Sequence, residues 1–171
     1  MKVQMNIRAR EPRDDEAIAK VIASAFGTDR EARLVAALRR GGDCVCELVA
    51  LDPGGTVAGH ILFSRLNVRA GSQSLRAVAL APLAVRPDLQ RRGVGDTLTR
   101  AGLERCCDRG QDIAAVLGHP KYYSRFGFSA LLAKVLEAPY AGDAFMALEL
   151  RVGALGGRSW KVAYPPAFSD P

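Results

Sequence analysis

The chain has 171 residues, 49% of them apolar and 25% charged, with a formal net charge of +6. That length suffices for one domain with a sizeable core, and no apolar run approaches the ~20 residues of a membrane span. The N-terminal segment, with Lys2, Arg8 and Arg10 among alternating residues, has no signal-peptide core, so a cytoplasmic setting without a membrane partner is expected.

The basic balance raises nucleic-acid binding, yet there is no lysine-rich run, no basic tail and no interleaving of aromatics with arginine. No nucleic-acid partner is therefore expected. A solvated basic surface accounts for the charge, and a ligand carrying several phosphates would suit it. Cys44 and Cys46 form Cys-x-Cys, and Cys106 and Cys107 are adjacent; neither pair has zinc-ligand spacing and both histidines lie far off, so no metal is expected. Cys44 and Cys46 fall on one face of a predicted strand and read as buried thiols.

Along the chain, Asn6 to Arg10 reads as a short strand. Asp14 is placed to cap a helix on which Ile18, Val21, Ile22, Ala25 and Phe26 recur at helical spacing, and Gly27 stops it. Thr28-Asp29-Arg30-Glu31 has the form of a capping box for a second helix, which carries Leu34, Val35 and Leu38 and ends at Gly41-Gly42. Strands follow over Cys44 to Leu51 and Thr56 to Leu66, joined by the turn Asp52-Pro53-Gly54-Gly55. Another runs from Leu75 to Val85 after a polar loop, Arg69 to Ser74. A helix led by Gly93 and Gly95 presents Val94, Leu98, Ala101 and Gly102 to a core. Ile113 to Leu117 is an unbroken apolar run, as in a strand buried on both faces. Tyr122 to Phe126 reads as a short helix, and late strands cover Ala144 to Val152 and Trp160 to Ala163. Hairpins followed by a strand–helix–strand crossover give an α/β (mixed α+β) fold. Its central sheet is mixed, mostly antiparallel and twisted, with about seven strands and helices on both faces.

The most informative stretch is Leu83-Ala84-Val85-Arg86-Pro87-Asp88-Leu89-Gln90-Arg91-Arg92-Gly93-Val94-Gly95. An apolar strand ends at a proline, and a short turn leads to two glycines at the start of an amphipathic helix. Such a turn is an anion cradle: the glycines let backbone approach a ligand closely, and the free N–H groups of the helix N-terminus carry partial positive charge. Arg91 and Arg92 add full charges, and a pyrophosphate would fit. The spacing matches neither a P-loop nor a Gly-x-Gly-x-x-Gly dinucleotide fingerprint.

What remains is Gln-x-x-Gly-x-Gly after Leu-Ala-Val, followed downstream by Tyr122-Tyr123-Ser124-Arg125-Phe126-Gly127-Phe128. The two strings, in this order and at this separation, resemble the signatures of the GCN5-related N-acetyltransferase (GNAT) superfamily, and the resemblance extends over the whole chain as a single domain, 1–171. The ending Phe145-Met146-Ala147-Leu148-Glu149-Leu150 and then Tyr164-Pro165-Pro166-Ala167-Phe168 is similar to a bacterial subgroup, the YhbS type. The resemblance implies an acyl-coenzyme A fold whose two parallel central strands splay apart to admit the pantetheine arm of acetyl-coenzyme A. Its contacts would come from the strand end Leu83, Ala84 and Val85 and from Gln90, Arg91, Arg92, Gly93, Val94 and Gly95. An N–H at Val85 is placed to meet the carbonyl oxygen as it becomes an oxyanion.

The implied reaction is direct attack of a primary amine on the thioester through a tetrahedral intermediate, the acceptor being a small molecule or a peptide and the protein a monomer or homodimer. Tyr123 matches the family's tyrosine beside the cofactor sulfur and is the candidate general acid; the alternative is an aromatic pair with Tyr122 that packs the short helix. The chain has no Asp or Glu between Asp52 and Asp88, so the carboxylate base of many relatives is missing from the central strands. His119, at the carboxyl end of the buried strand, is the candidate base, and His60 is the other imidazole; each also reads as a hydrogen-bonded structural residue. Gly118-His119-Pro120-Lys121 is shorter than in most relatives and lacks their pantetheine-contacting asparagine. The missing carboxylate leaves a second reading, a non-catalytic coenzyme A sensor. The acceptor pocket is expected between the first two helices, the loop Gly27 to Glu31 and the late hairpin Arg151 to Trp160, with Trp160 either lining it or plugging the sheet.

Overall fold

The computed structural model describes residues 3–140 and 142–169. Strands β1 (Asn6–Ala9), β2 (Cys44–Leu51), β3 (Val57–Ala70) and β4 (Gln73–Val85) form an antiparallel meander. β4 pairs in parallel with β5 (Ile113–Leu117), the crossover between them being a helix, α3 (Val94–Asp108). β5 pairs antiparallel with β7 (Phe145–Glu149), while β6 (Leu136–Glu137) and β8 (Trp160–Ala163) run parallel and join through β8 to the far end of β3. The sheet has eight strands among the described residues, one more than the sequence pattern yields, because β6 spans two residues and carries no readable alternation.

Helices α1 (Asp15–Phe26) and α2 (Arg30–Arg40) cover one face, burying Ile18, Ile22, Val35 and Leu38 against Val49, Leu62 and Ala84. α3 covers the other, with Val94, Leu98 and Cys106 on Ile61, Phe63 and Val78. It lies directly on the sheet at Gly102, where a Cβ would stand 2.3 Å from the Phe63 ring. Trp160 plugs the β8 end: it is buried, and its indole N–H donates to the Leu155 carbonyl at 2.9 Å.

Several local expectations change. The loop between β3 and β4 shrinks to a turn at Gly71 and Ser72, because β8 pairs with the far end of β3 at Asn67–Arg69 and the hairpin runs on past Leu66 with its polar side chains outward. Asp14 closes a 3-10 turn, Pro12–Asp14, and occupies the cap position of α1, but its carboxylate accepts from Arg8 (2.7 Å) and the Glu11 N–H (2.8 Å) rather than from the helix N–H groups. Thr28 accepts from the Arg30 N–H and donates to Glu31, both at 3.1 Å, so the box closes through side chains one residue before the helix cap, Asp29. A register shift between Cys44 and Cys46 puts them on opposite faces, Cys44 toward α1 and α2 and Cys46 under α3. Both thiols are free.

Candidate active site

Parallel pairing between β4 and β5 ends at Leu80 opposite Val116, whereas β4 continues to Val85. A register shift on β4, where Leu83 faces Ile61 but Leu80 faces Phe63, bends the strand at this place. The Arg86 N–H donates to the Ala58 carbonyl on β3 at 2.8 Å. By the alternation of strand backbone, the main-chain groups of Leu83 and Val85 therefore point away from β3 into the open gap. The Val85 carbonyl is already met there by the Gln90 side-chain amide at 3.0 Å. Gln90 thus ties the strand end to the turn, beside the Leu83 groups and the Val85 N–H that face the gap.

The turn itself is shaped by two left-handed residues, Arg91 at φ +60° and Gly93 at φ +86°. No acceptor for the N–H groups of Arg91 through Asp96 occurs among the described residues. The carboxylates around them are neutralised: Asp88 is held by Arg86 at 2.7 Å and Asp96 by Arg125 at 2.7 Å. Arg91 and Arg92 have no ion-pair partner among the described residues. A run of unsatisfied donors with two free guanidinium groups suits a pyrophosphate. Gly95 has no room for a side chain, since a Cβ would lie 2.8 Å from the Tyr122 hydroxyl and 3.7 Å from both Leu83 and Val85.

The short helix α4 (Pro120–Tyr123) starts earlier than the sequence suggests, with Pro120 in its first turn, and a 3-10 turn, Ser124–Phe126, follows. Tyr122 spends its hydroxyl on the start of α3, against Gly95 and Thr99, and burial pushes its phenol up to about 12. Tyr123 packs edge-on against Tyr122, ring centroids 4.9 Å apart, with its ring on Gly118, where a Cβ would be 2.5 Å away, and edge-on to Phe128 at 5.9 Å. Burial pushes its phenol up as well, and no hydrogen bond opposes the shift. His119 stands exposed as the cap residue of α4, its carbonyl accepting from the Tyr122 and Tyr123 N–H groups. The structure thus brings Leu83, Val85 and Gly95 together under Tyr122, sets Tyr123 against the end of β5, and leaves His119 at the rim.

On the opposite face of the same gap is a cleft of about 650 Å³. Its floor is Ala79, Ala81 and Ala115 at the point of splay, its roof α2, and its wall Tyr140, Tyr164 and Phe168. The stretch from Arg151 to Trp160 takes no part in lining it. Ala154, Leu155 and Trp160 are instead buried in the core beside β8, drawn there by the apolar surface they cover. No group of three side chains suited to a metal ion occurs among the described residues.

Residues 6–131 match the acetyltransferase (GNAT) domain family. This chain belongs to the GNAT family. It is 34% identical over 167 residues to YhbS, an uncharacterised N-acetyltransferase of Escherichia coli K12, covering 96% of this GNAT chain and 99% of that one. The crystal structure of Escherichia coli YhbS in complex with CoA superposes with a TM-score of 0.89 at 32% identity, covering 99% of this chain and 94% of that one. A GNAT acetyltransferase of Brucella melitensis in complex with acetyl-CoA gives a TM-score of 0.80 at 31% identity, covering 96% and 98%.

Two features of this GNAT site escaped the sequence. One is the arginine and aromatic lining of the cleft, whose parts come from α2, residue 140 and the C-terminal segment; only the stripe Arg30, Arg33, Ala37 and Arg40, at helical spacing, was readable. The other is Glu47 on β2. Its carboxylate is 7% exposed and accepts at 2.7 Å from Nε2 of the fully buried His60, and Arg39 of α2 donates to it as well. Burial alone would push Glu47 up, but the hydrogen bonds from His60 and Arg39 prevail and hold it down at about 2. Burial pushes His60 below its ordinary value against the pull of Glu47, so the imidazole is neutral and donates through Nε2. Arg39 also reaches Asp15 of α1 at 3.3 Å, so this network pins both helices to the sheet. A charged residue inside an apolar strand, with a histidine across the hairpin, was the available signal.

Proposed function

We propose that this protein transfers an acyl group, acetyl from acetyl-coenzyme A, to the nitrogen of a primary amine by direct attack on the thioester. The observation that carries the reading is the gap itself: β5 leaves β4 at Leu80, the freed backbone of Leu83 and Val85 lines the opening, and the unsatisfied N–H run from Arg91 to Asp96 continues it. The residues fit the donor. Amides at the turn would hold the pyrophosphate, and the Leu83 and Val85 backbone would pair with the pantetheine amides. The Val85 N–H would meet the carbonyl oxygen, where a fixed donor in a dry site stabilises developing charge.

Tyr123 is the proton donor in this reading. A phenol pushed up by burial stays protonated across the neutral range, ready for the departing thiolate. His119, at the rim beyond Leu117, takes the acceptor's proton; it follows the strand end that lines the cleft, and imidazole chemistry suits this task. The acceptor enters from the α2 side, where the cleft meets the splay. No helix among the described residues is long and apolar enough to cross a membrane.

Tyr123→Phe tests the assignment. Steady-state acyl transfer should fall roughly 10²–10⁴-fold, the usual contribution of a positioned acid, while coenzyme A affinity stays within error. Unchanged turnover would remove Tyr123 from the chemistry. A protein that binds coenzyme A yet consumes no acetyl-coenzyme A over a broad amine panel would instead be a sensor.

A further inference from the structure

The charge of the acceptor cleft is one-sided. Four charged side chains line it: Arg30, Arg33 and Arg40, and against them Glu31. The Glu31 carboxylate is engaged by the Thr28 hydroxyl at 3.1 Å, and Arg33 leans on Asp29 at 3.6 Å, outside the lining. Arg30 and Arg40 have no carboxylate within ion-pair distance among the described residues. They lie ten positions apart on α2, about 15 Å along its axis, and border the cleft at opposite ends of its roof.

The facing wall is aromatic. Tyr164 sits edge-on between Tyr140 at 5.1 Å and Phe168 at 5.0 Å, and burial holds its phenol in the neutral form. The floor consists of alanines where the two strands part, so the deep end leads to the position of the thioester. A simple polyamine would be repelled by this roof, and a small polar amine would leave the aromatic wall unfilled.

We propose that the acceptor is an amine carrying its own anionic group on a flat apolar body, the amine directed to the floor and the anion met by the guanidinium groups of the roof, Arg30 at one end or Arg40 at the other. This rests on the acyltransferase reading above. It also bears on the base. A cationic roof disfavours the ammonium form of a bound amine, which eases its deprotonation where the central strands offer no carboxylate.

Binding to the coenzyme A-loaded protein, followed by calorimetry, tests the proposal without requiring turnover. Phenylalanine and 4-(aminomethyl)benzoate place a carboxylate next to the amine or across the ring; each is compared with its neutral amide. At least one acid should bind roughly tenfold or more tightly than its amide, a difference of about 1.4 kcal/mol. That preference should vanish in Arg30→Gln/Arg40→Gln, two exposed positions whose change leaves the fold and coenzyme A affinity intact. Equal affinity within both pairs, no binding of either acid at millimolar concentration, or a preference that survives the double variant overturns it. Failure of coenzyme A itself to bind would strike the underlying reading instead, and this proposal with it.

Discussion

On the α3 side of the sheet the proposed binding groups are main-chain N–H groups from one short run, Arg91 to Asp96; on the α2 side they are side chains gathered from Arg30, Arg40, Tyr140, Tyr164 and Phe168. The first site is specified by backbone conformation, by Gly93 at φ +86° and by the missing Cβ at Gly95. The second is specified by chemistry at scattered positions, held in place by a buried ion network that ties α2 to the sheet. A backbone site can serve one cofactor across a whole family, while a side-chain site can be rewritten for each acceptor. The two halves of this molecule should therefore respond to mutation in different ways.

The largest effect is expected where the α2 side is anchored. Glu47→Leu removes the carboxylate shared by His60 and Arg39 and should lower unfolding free energy by about 3–5 kcal/mol in denaturant titration, because the buried His60 N–H loses its acceptor and Arg39 keeps only the more distant Asp15. A loss below about 1 kcal/mol would mean the network is not what holds α2.

Next comes the backbone site. Gly93→Val forces a β-branched residue into the left-handed region at a strain of about 1–3 kcal/mol, and coenzyme A affinity should fall by a matching factor, roughly five- to hundredfold. Arg92→Gln, which changes only an exposed charge, should weaken binding by less than about 1 kcal/mol. If the arginine proved the more costly loss, the comparison between the two faces would break.

Acid should weaken the same anchor. His60 is held neutral below its ordinary pKa, so its contribution is present above about pH 6.5 and is lost as pH falls. Glu47 and Asp14, both held down at about 2, contribute above the ordinary carboxylate range, and that stability drains away below about pH 4. Urea midpoints should therefore fall in two stages between neutral pH and pH 3; a midpoint independent of pH would contradict the assigned protonation states. The smallest effect is at Ser64. Its buried hydroxyl has no partner among the described residues, so Ser64→Ala should be neutral or stabilising by up to about 1 kcal/mol in the same assay.

How much was legible follows the same division. The strand-turn-helix from Leu83 to Gly95 could be read because its determinants are contiguous: an apolar run, a proline and two glycines. In the structure Gln90 bonds the Val85 carbonyl and Arg91 and Gly93 take left-handed backbone, while Tyr122 and Tyr123 pack edge-on yet meet different neighbours, Gly95 and Gly118, which two adjacent identical residues could not reveal. The α2-side cleft is walled by Tyr164 and Phe168 and not by Arg151 to Trp160, two stretches that differ in tertiary destination rather than in local pattern. Cys44 and Cys46 were assigned to one face because a β-bulge leaves no mark in the composition of a strand.

Amide NMR during a coenzyme A titration tests the central claim most directly. The N–H signals of Arg91 through Asp96, those of Gly93 and Gly95 foremost, should shift with the binding isotherm, while α2 signals stay in place until an acceptor is added. Binding that leaves the glycine-turn amides unmoved, or no binding at all, would contradict the account.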